Sequence, residues 1–176
     1  MPRSLALVVM GVAGSGKTTV GEALAQALGA YYIEGDRLQP PENVARMASG
    51  VPLTDEHRRG WLDAVGREVA AAAARGENAV AACSALKHAY RDRLRALCPA
   101  IRFLYLDVDP ATAEKRVGSR RGHFMPASLV DSQFADLEPP TPDENALRLD
   151  ATRPAGELVK QALALLGSAQ SGTLQP

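Results

Sequence analysis

The chain has 176 residues, 46% of them hydrophobic and 5% aromatic, which is enough apolar material for one aliphatic core and excludes a chain disordered throughout. Twenty Lys and Arg balance twenty Asp and Glu, so no global field draws the protein to nucleic acid or to an anionic membrane, and any anion site has to be local. Two cysteines, Cys83 and Cys98, have neither the number nor the spacing of a disulfide framework or a zinc site and fit a reducing compartment. No apolar run approaches the roughly 20 residues that span a bilayer, and residues 1–10 run into a core strand instead of a cleavable signal, so the expected location is cytoplasmic.

Residues 5–10 form an unbroken apolar run closed by Gly11, the pattern of a strand buried on both faces of a parallel sheet. After a glycine-rich turn, Val20, Leu24, Ala27 and Leu28 recur at helical spacing from Lys17, and Gly29 supplies a stop. Residues 30–33 predict a second strand that ends at Glu34-Gly35-Asp36, and Pro40-Pro41 forbids its continuation. Residues 41–49 predict a short helix with Val44 and Met47 inward, and Thr54-Asp55-Glu56 opens a longer one that carries Trp61, Leu62, Val65 and Val69. Residues 79–83 are the next buried strand, followed by a helix near 89–97 with Tyr90, Leu94 and Leu97 on one face, and then by a strand over 101–108.

Asp109-Pro110 caps a helix that runs toward Gly118 or Ser119, where the basic segment Arg120-Arg121-Gly122-His123 breaks the pattern and predicts a mobile flap. A short helix over 131–137, a proline-rich loop, a strand over 147–149 and an amphipathic helix over 155–166 complete the order, with 167–176 expected to be a flexible tail. Strands alternating with helices imply parallel pairing through right-handed crossovers, with ligands at the carboxyl ends of the strands. The expected fold class is therefore a three-layer α/β/α sandwich formed by one domain over residues 1–166.

Gly11-Val12-Ala13-Gly14-Ser15-Gly16-Lys17-Thr18 is a glycine, four residues, then Gly-Lys-Thr, which this composition would produce by chance about 0.003 times. The motif lies between a buried strand and an amphipathic helix, as its mechanism requires. Glycines let the backbone curl so that successive N–H groups face a phosphate, and the helix N-terminus adds its positive end. Lys17 reaches the transferable phosphates, the Thr18 hydroxyl serves Mg²⁺, and Thr19 completes the set that binds ATP. A guanine-reading Asn-Lys-x-Asp is absent, and the one Asp-x-x-Gly, at Asp63 to Gly66, falls inside a predicted helix, so the GTPase reading fails. The strand over 79–83 ends in Ser84 and not in an acidic residue, so Mg²⁺ has to be held partly through water or another carboxylate. A small-molecule kinase is the natural candidate, with two helices inserted after the second strand (about 37–75) and a lid over about 119–138.

Several stretches together resemble the gluconate kinase (gluconokinase) family of small P-loop kinases, which is related to the shikimate kinases. They are the phosphate loop, Glu34-Gly35-Asp36-Arg37-Leu38-Gln39-Pro40, Gly50-Val51-Pro52-Leu53-Thr54-Asp55 with Arg58 and Trp61-Leu62, Ala82-Cys83-Ser84-Ala85-Leu86-Lys87 with Tyr90-Arg91-Asp92, and Gly122-His123-Phe124-Met125-Pro126 with Ser132-Gln133-Phe134. The sequence departs at Gln39, Glu34, His57 and Gly60, where the family often has His, Asp, Asp and Pro. The resemblance implies a P-loop nucleoside-triphosphate hydrolase fold, transfer of phosphate from ATP to D-gluconate with Mg²⁺, and a homodimer.

A sugar acid needs cations at its carboxylate and hydrogen-bonding groups along its hydroxyls. Arg58, Lys87 and Arg91 are the candidate cations. Arg58 alternatively pairs with Asp55, and Lys87 with Arg91 alternatively lines a solvated helix face. Asp36, after a short strand on the edge that carries the phosphate loop, is the candidate base for the attacking hydroxyl, or else a turn-forming residue. Arg120 and Arg121 either close over the phosphates as a lid or are the charged end of a helix. His123 is a substrate contact or a packing residue, Gln133 a hydroxyl reader or an ordinary helix residue, and Arg153 a base-stacking group by analogy or a surface loop residue. Trp61 reads as packing and Cys83 as a small buried hydrophobe. A kinase with another acceptor, such as shikimate, a nucleoside monophosphate or a different sugar acid, and a non-catalytic ATP-binding regulator are the alternatives.

Overall fold

A strand with no polar face has to be covered on both sides, and β1 (Ala6–Met10) runs through the middle of the sheet with every residue buried. The computed structural model describes residues 3–120 and 126–171. Five strands, with β2 (Tyr31–Glu34), β3 (Ala79–Ala82), β4 (Ile101–Asp107) and β5 (Leu147–Asp150), lie in the order β2-β3-β1-β4-β5, and every neighbouring pair is parallel. Period-two alternation sorts the strands between two cores. Val8, Met10 and Phe103 face Trp61, Leu62 and Val65 of α3 (Asp55–Ala74) and Leu94 of α4 (His88–Leu97). Leu7, Val9 and Leu104 face Val20 and Leu24 of α1 (Lys17–Leu28) and Leu158 of α7 (Ala155–Ser171). Because all strands point one way, the turns after Met10, Glu34, Ala82, Asp107 and Asp150 gather on one edge.

The remaining helices are α2 (Pro41–Ala48), α5 (Pro110–Ser119) and α6 (Ala127–Asp136). Three expectations are corrected. Val44 of α2 is 50% exposed, and the residue turned inward is Asn43, whose amide donates to the carbonyl of His57 at 2.8 Å and to Gln39 at 3.0 Å; α2 is held by a polar residue and not by an apolar stripe. α6 starts at Ala127, four residues ahead of the predicted Asp131, because Leu129 and Val130 are both buried. α7 continues to Ser171 through Gly167, since one glycine costs about 1 kcal/mol of helix propensity and the flanking Ala and Leu residues favour the helix; the expected tail is thus helical over its first part, and 172–176 lie outside the described residues. Among the described residues no helix is long and apolar enough to cross a membrane.

Candidate active site

The loop between β1 and α1 is shaped by the backbone that crowds it. Gly14 has φ +81°, and a side chain there would begin 2.6 Å from the carbonyl oxygen of Ala113, so both conformation and space require glycine. The loop is also tied from outside: the Ala13 amide donates to Gln133 Oε1 at 2.7 Å, and Arg116 donates to the Gly14 carbonyl at 3.2 Å. Gln133 thus reaches the phosphate loop from α6. Val12 contributes a carbonyl that accepts from Lys17 Nζ at 3.0 Å. Burial lowers the pKa of the Lys17 ammonium from its ordinary value, against the opposing fields of Asp36, Cys83 and Glu34, while Arg120 lowers it further. A half-buried cation beside a second cation, and the buried Ser15 hydroxyl, which has no hydrogen-bond partner among the described residues, together fit a polyphosphate.

A cavity of about 310 Å³ opens over this loop and is lined by Gly14, Ser15, Gly16, Thr19, Arg120 and Arg153. These six were expected at the donor site, and the structure brings them together; Gly11 lies behind them, with its amide on the Ser84 carbonyl. Arg116 and Ser119 line the same space and were not singled out in the sequence, although Arg116 stands four residues before Arg120 on one helix, a spacing that puts the two on one face. Leu158, Ala151 and Ala155 give the cavity an apolar end next to Arg153. A smaller cleft of about 180 Å³ beside Tyr105 and Pro140 lies away from the loop, and its one cation, Arg148, is engaged by Asp107 at 2.5 Å.

On the acceptor side, the turn after β2 is a single 3-10 turn (Gly35–Leu38). A side chain on Gly35 would begin 2.3 Å from the Ala82 carbonyl, so only glycine lets β2 and β3 close up here. Trp61 Nε1 donates to the Gly35 carbonyl at 2.8 Å; the tryptophan expected as packing also pins the turn that presents Asp36. Asp36 is exposed and lies within electrostatic reach of Lys17. Thr18 Oγ1 donates to Glu34 Oε2 at 2.8 Å. A hydroxyl and a carboxylate oxygen are hard donors of the kind Mg²⁺ takes in addition to phosphate and water, so Glu34 is a carboxylate that the strand over 79–83 does not provide. Its signal was present in the sequence, as an acidic residue at a strand end two positions before Asp36. Burial pushes the Cys83 thiol up to about 12, which keeps it protonated and unreactive.

Arg58 and Lys87 meet in one cluster. Arg58 donates to the Tyr90 hydroxyl at 2.7 Å and to Asp136 Oδ2 at 2.9 Å, and Lys87 pairs with Asp55 Oδ1 at 2.9 Å. The Tyr90 hydroxyl also bonds Asp55, so the alternative Arg58–Asp55 pair does not form. Arg91 is a correction. It is fully buried, and its five N–H groups bond the carbonyls of Ala85, Leu86 and Glu138 and both oxygens of Glu144, leaving no donor for a substrate. Lys87 and Arg91 therefore do not share a face toward the site. Burial pushes the Glu144 carboxyl up, but hydrogen bonds from Arg91, Arg95 and the Thr141 amide hold it well below the usual carboxylate range. Arg91→Leu is expected to lower the unfolding free energy by about 3–5 kcal/mol, the cost of leaving a buried partner charge unpaired. Since the folded pKa of Glu144 is depressed, the pair stabilises above the ordinary carboxylate pKa and is lost as the pH falls toward the folded value; urea titrations at neutral and acid pH should show that this slope disappears in Glu144→Gln. Arg121 and His123 lie outside the described residues.

A family model described as an AAA domain (AAA_33) matches residues 7–140. A gluconokinase from Gluconobacter oxydans is 46% identical over 151 residues, covering 84% of this chain and 83% of that protein. Two crystal structures superpose closely: a gluconokinase from Sinorhizobium meliloti with TM-score 0.86 and 41% identity, covering 99% of this chain and all of that one, and an unliganded sugar kinase from a Janibacter species with TM-score 0.88 and 44% identity, covering 93% of this chain and 95% of that one. With its phosphate loop, parallel sheet and these relatives, the chain belongs to the gluconokinase family of P-loop kinases.

Proposed function

We propose that the protein transfers the γ-phosphoryl group of ATP to the terminal hydroxyl of D-gluconate, giving ADP and 6-phospho-D-gluconate. The observation that supports this reading is that Asp36 lies within electrostatic reach of Lys17 while Trp61, on the helix that also carries Arg58, bonds the carbonyl beside it. Trp61, bonded to the carbonyl next to Asp36, and Arg58 are three residues apart on α3, about 4.5 Å along the helix axis. In this reading the sugar acid lies with its carboxylate toward Arg58 and Lys87 and its far hydroxyl toward Asp36.

In the transfer, the acceptor oxygen forms a bond to the γ-phosphorus, the bond from that phosphorus to the oxygen of ADP breaks, and the hydroxyl proton passes to the Asp36 carboxylate. Lys17, Arg116 and Arg120 stabilise the charge on the moving group, and Arg153 with the apolar end of the cavity takes the adenine. Thr18 and Glu34 would hold Mg²⁺, which when bound neutralises the β- and γ-phosphate oxygens. In this reading α2 and α3 (the insertion over about 37–75) receive the acceptor, the segment over about 119–138 closes as a lid that excludes water, and Gln133 couples that lid to the loop. The protein works in the cytoplasm, where ATP is supplied, as a homodimer.

ADP formation measured over gluconate, shikimate, other sugar acids and nucleoside monophosphates tests the reading. Gluconate is expected to stimulate turnover far above the background without acceptor; turnover with another acceptor and none with gluconate overturns it.

A further inference from the structure

Glu34 Oε2 receives two hydroxyl hydrogens, from Thr18 Oγ1 at 2.8 Å and from Tyr32 at 2.7 Å. Thr18 acts as donor in this contact, so its oxygen lone pairs stay free for a cation, and among the described residues no hydrogen bond reaches the second carboxylate oxygen of Glu34. We propose that Tyr32 is a positioning residue for the divalent cation: its hydroxyl fixes the Glu34 carboxylate beside Thr18 and so sets the affinity of the site for Mg²⁺. This rests on the reading of Thr18 and Glu34 as the cation's protein ligands.

The backbone builds the contact from two periodicities. Tyr32 and Glu34 are two apart on β2 and project to the same face. Thr18 and Gly21 are three apart on α1 and share a side of that helix. Gly21 leaves the slot for the ring, since a side chain there would begin 3.0 Å from a Tyr32 ring carbon. With the ring lying over Gly21, the phenol hydroxyl comes to Glu34 and, through it, to Thr18 one turn earlier. Among the described residues β2 is an edge strand, so no strand on its outer side holds the Glu34 side chain. A glutamate also has one more rotatable bond to fix than an aspartate at the same place, and the second hydroxyl supplies that restraint.

The experiment uses Mn²⁺ as the probe, titrated into the whole protein with ADP and followed by the electron spin resonance of free Mn²⁺, for wild type, Tyr32→Phe, Glu34→Gln and the double variant. Phenylalanine keeps the ring over Gly21 and removes only the hydroxyl, and the thermal midpoint checks that the fold is retained. Tyr32→Phe is expected to weaken Mn²⁺ binding by about 10-fold, as loss of an outer partner of a metal ligand typically does, to raise the Mg²⁺ concentration for half-maximal turnover by a similar factor, and to leave the KM for gluconate unchanged. In the Glu34→Gln background the same substitution should have no further effect. Unchanged Mn²⁺ affinity in Tyr32→Phe with weakened affinity in Glu34→Gln overturns the role of Tyr32 and keeps the cation site. Equal losses in both backgrounds show that Tyr32 acts elsewhere and also overturn it. Unchanged affinity in both single variants removes Glu34 from the cation site and the proposal with it, while the acceptor assay tests the kinase reading separately.

Discussion

Lys17→Met lowers kcat by about 10³-fold, the scale of losing one preorganised charge at the transferring group, and leaves the apo protein at least as resistant to heat at neutral pH as the wild type. The two effects have opposite signs for one reason. Burial lowers the pKa of the Lys17 ammonium, and among the described residues the one hydrogen bond it donates goes to the neutral carbonyl of Val12. A folded-state lysine pKa below the unfolded value means that the charged form is held at a cost, which is present at neutral pH and relieved as the pH rises through the folded value. Methionine fills nearly the same volume without the charge, so that cost disappears along with the catalysis. Steady-state rates and thermal midpoints, measured with and without ATP, test both halves. Wild-type turnover in Lys17→Met would contradict the phosphate-loop mechanism outright.

Asp36→Asn is expected to lower kcat by about 10²-fold, the lower end of what a general base contributes, because a loose phosphoryl transfer asks the protein mainly for position and charge. Asparagine can still accept a hydrogen bond from the attacking hydroxyl and orient it, but it cannot take the proton. ATP binding should persist. A second readout separates this from a purely structural effect: the Asp36 carboxylate raises the pKa of Lys17, so its removal lets burial lower that pKa further, and Lys17 loses its proton at a lower pH. The alkaline limb of kcat/KM for ATP, which reports the free enzyme, should move to lower pH in the variant. An unchanged rate and an unchanged profile would remove Asp36 from the mechanism.

What could be read from the sequence depended on how local the cause was. The five strands lie within a residue or two of the expected bounds because each is an apolar or alternating run enclosed by turn residues, and the phosphate loop is legible because its chemistry is contained in eight consecutive positions. Arg91 was misread for the opposite reason. Its acceptors include the carbonyl of Glu138 and the carboxylate of Glu144, some fifty residues away, and no periodicity reveals that a loop will deliver acceptors to a buried guanidinium. Asn43 shows the same limit, since its partner is the main chain of His57 and a sequence pattern ranks the neighbouring Val44 as the inward residue. Gln133 reads from the sequence as a hydroxyl reader or an ordinary helix residue, and its bond to the phosphate loop is hidden because the Ala13 amide is 120 positions away.

That long reach has a consequence for synthesis. The loop that grips phosphate is completed near the start of the chain, yet β1 is paired only with β3 and β4, and its turn is braced by Ser84, Arg116 and Gln133. While these later parts are still inside the ribosome, the emerging segment carries the right amino acids in the wrong shape. Nucleotide affinity therefore arises late during translation, and a fragment released before α6 has emerged is expected to leave ATP unbound.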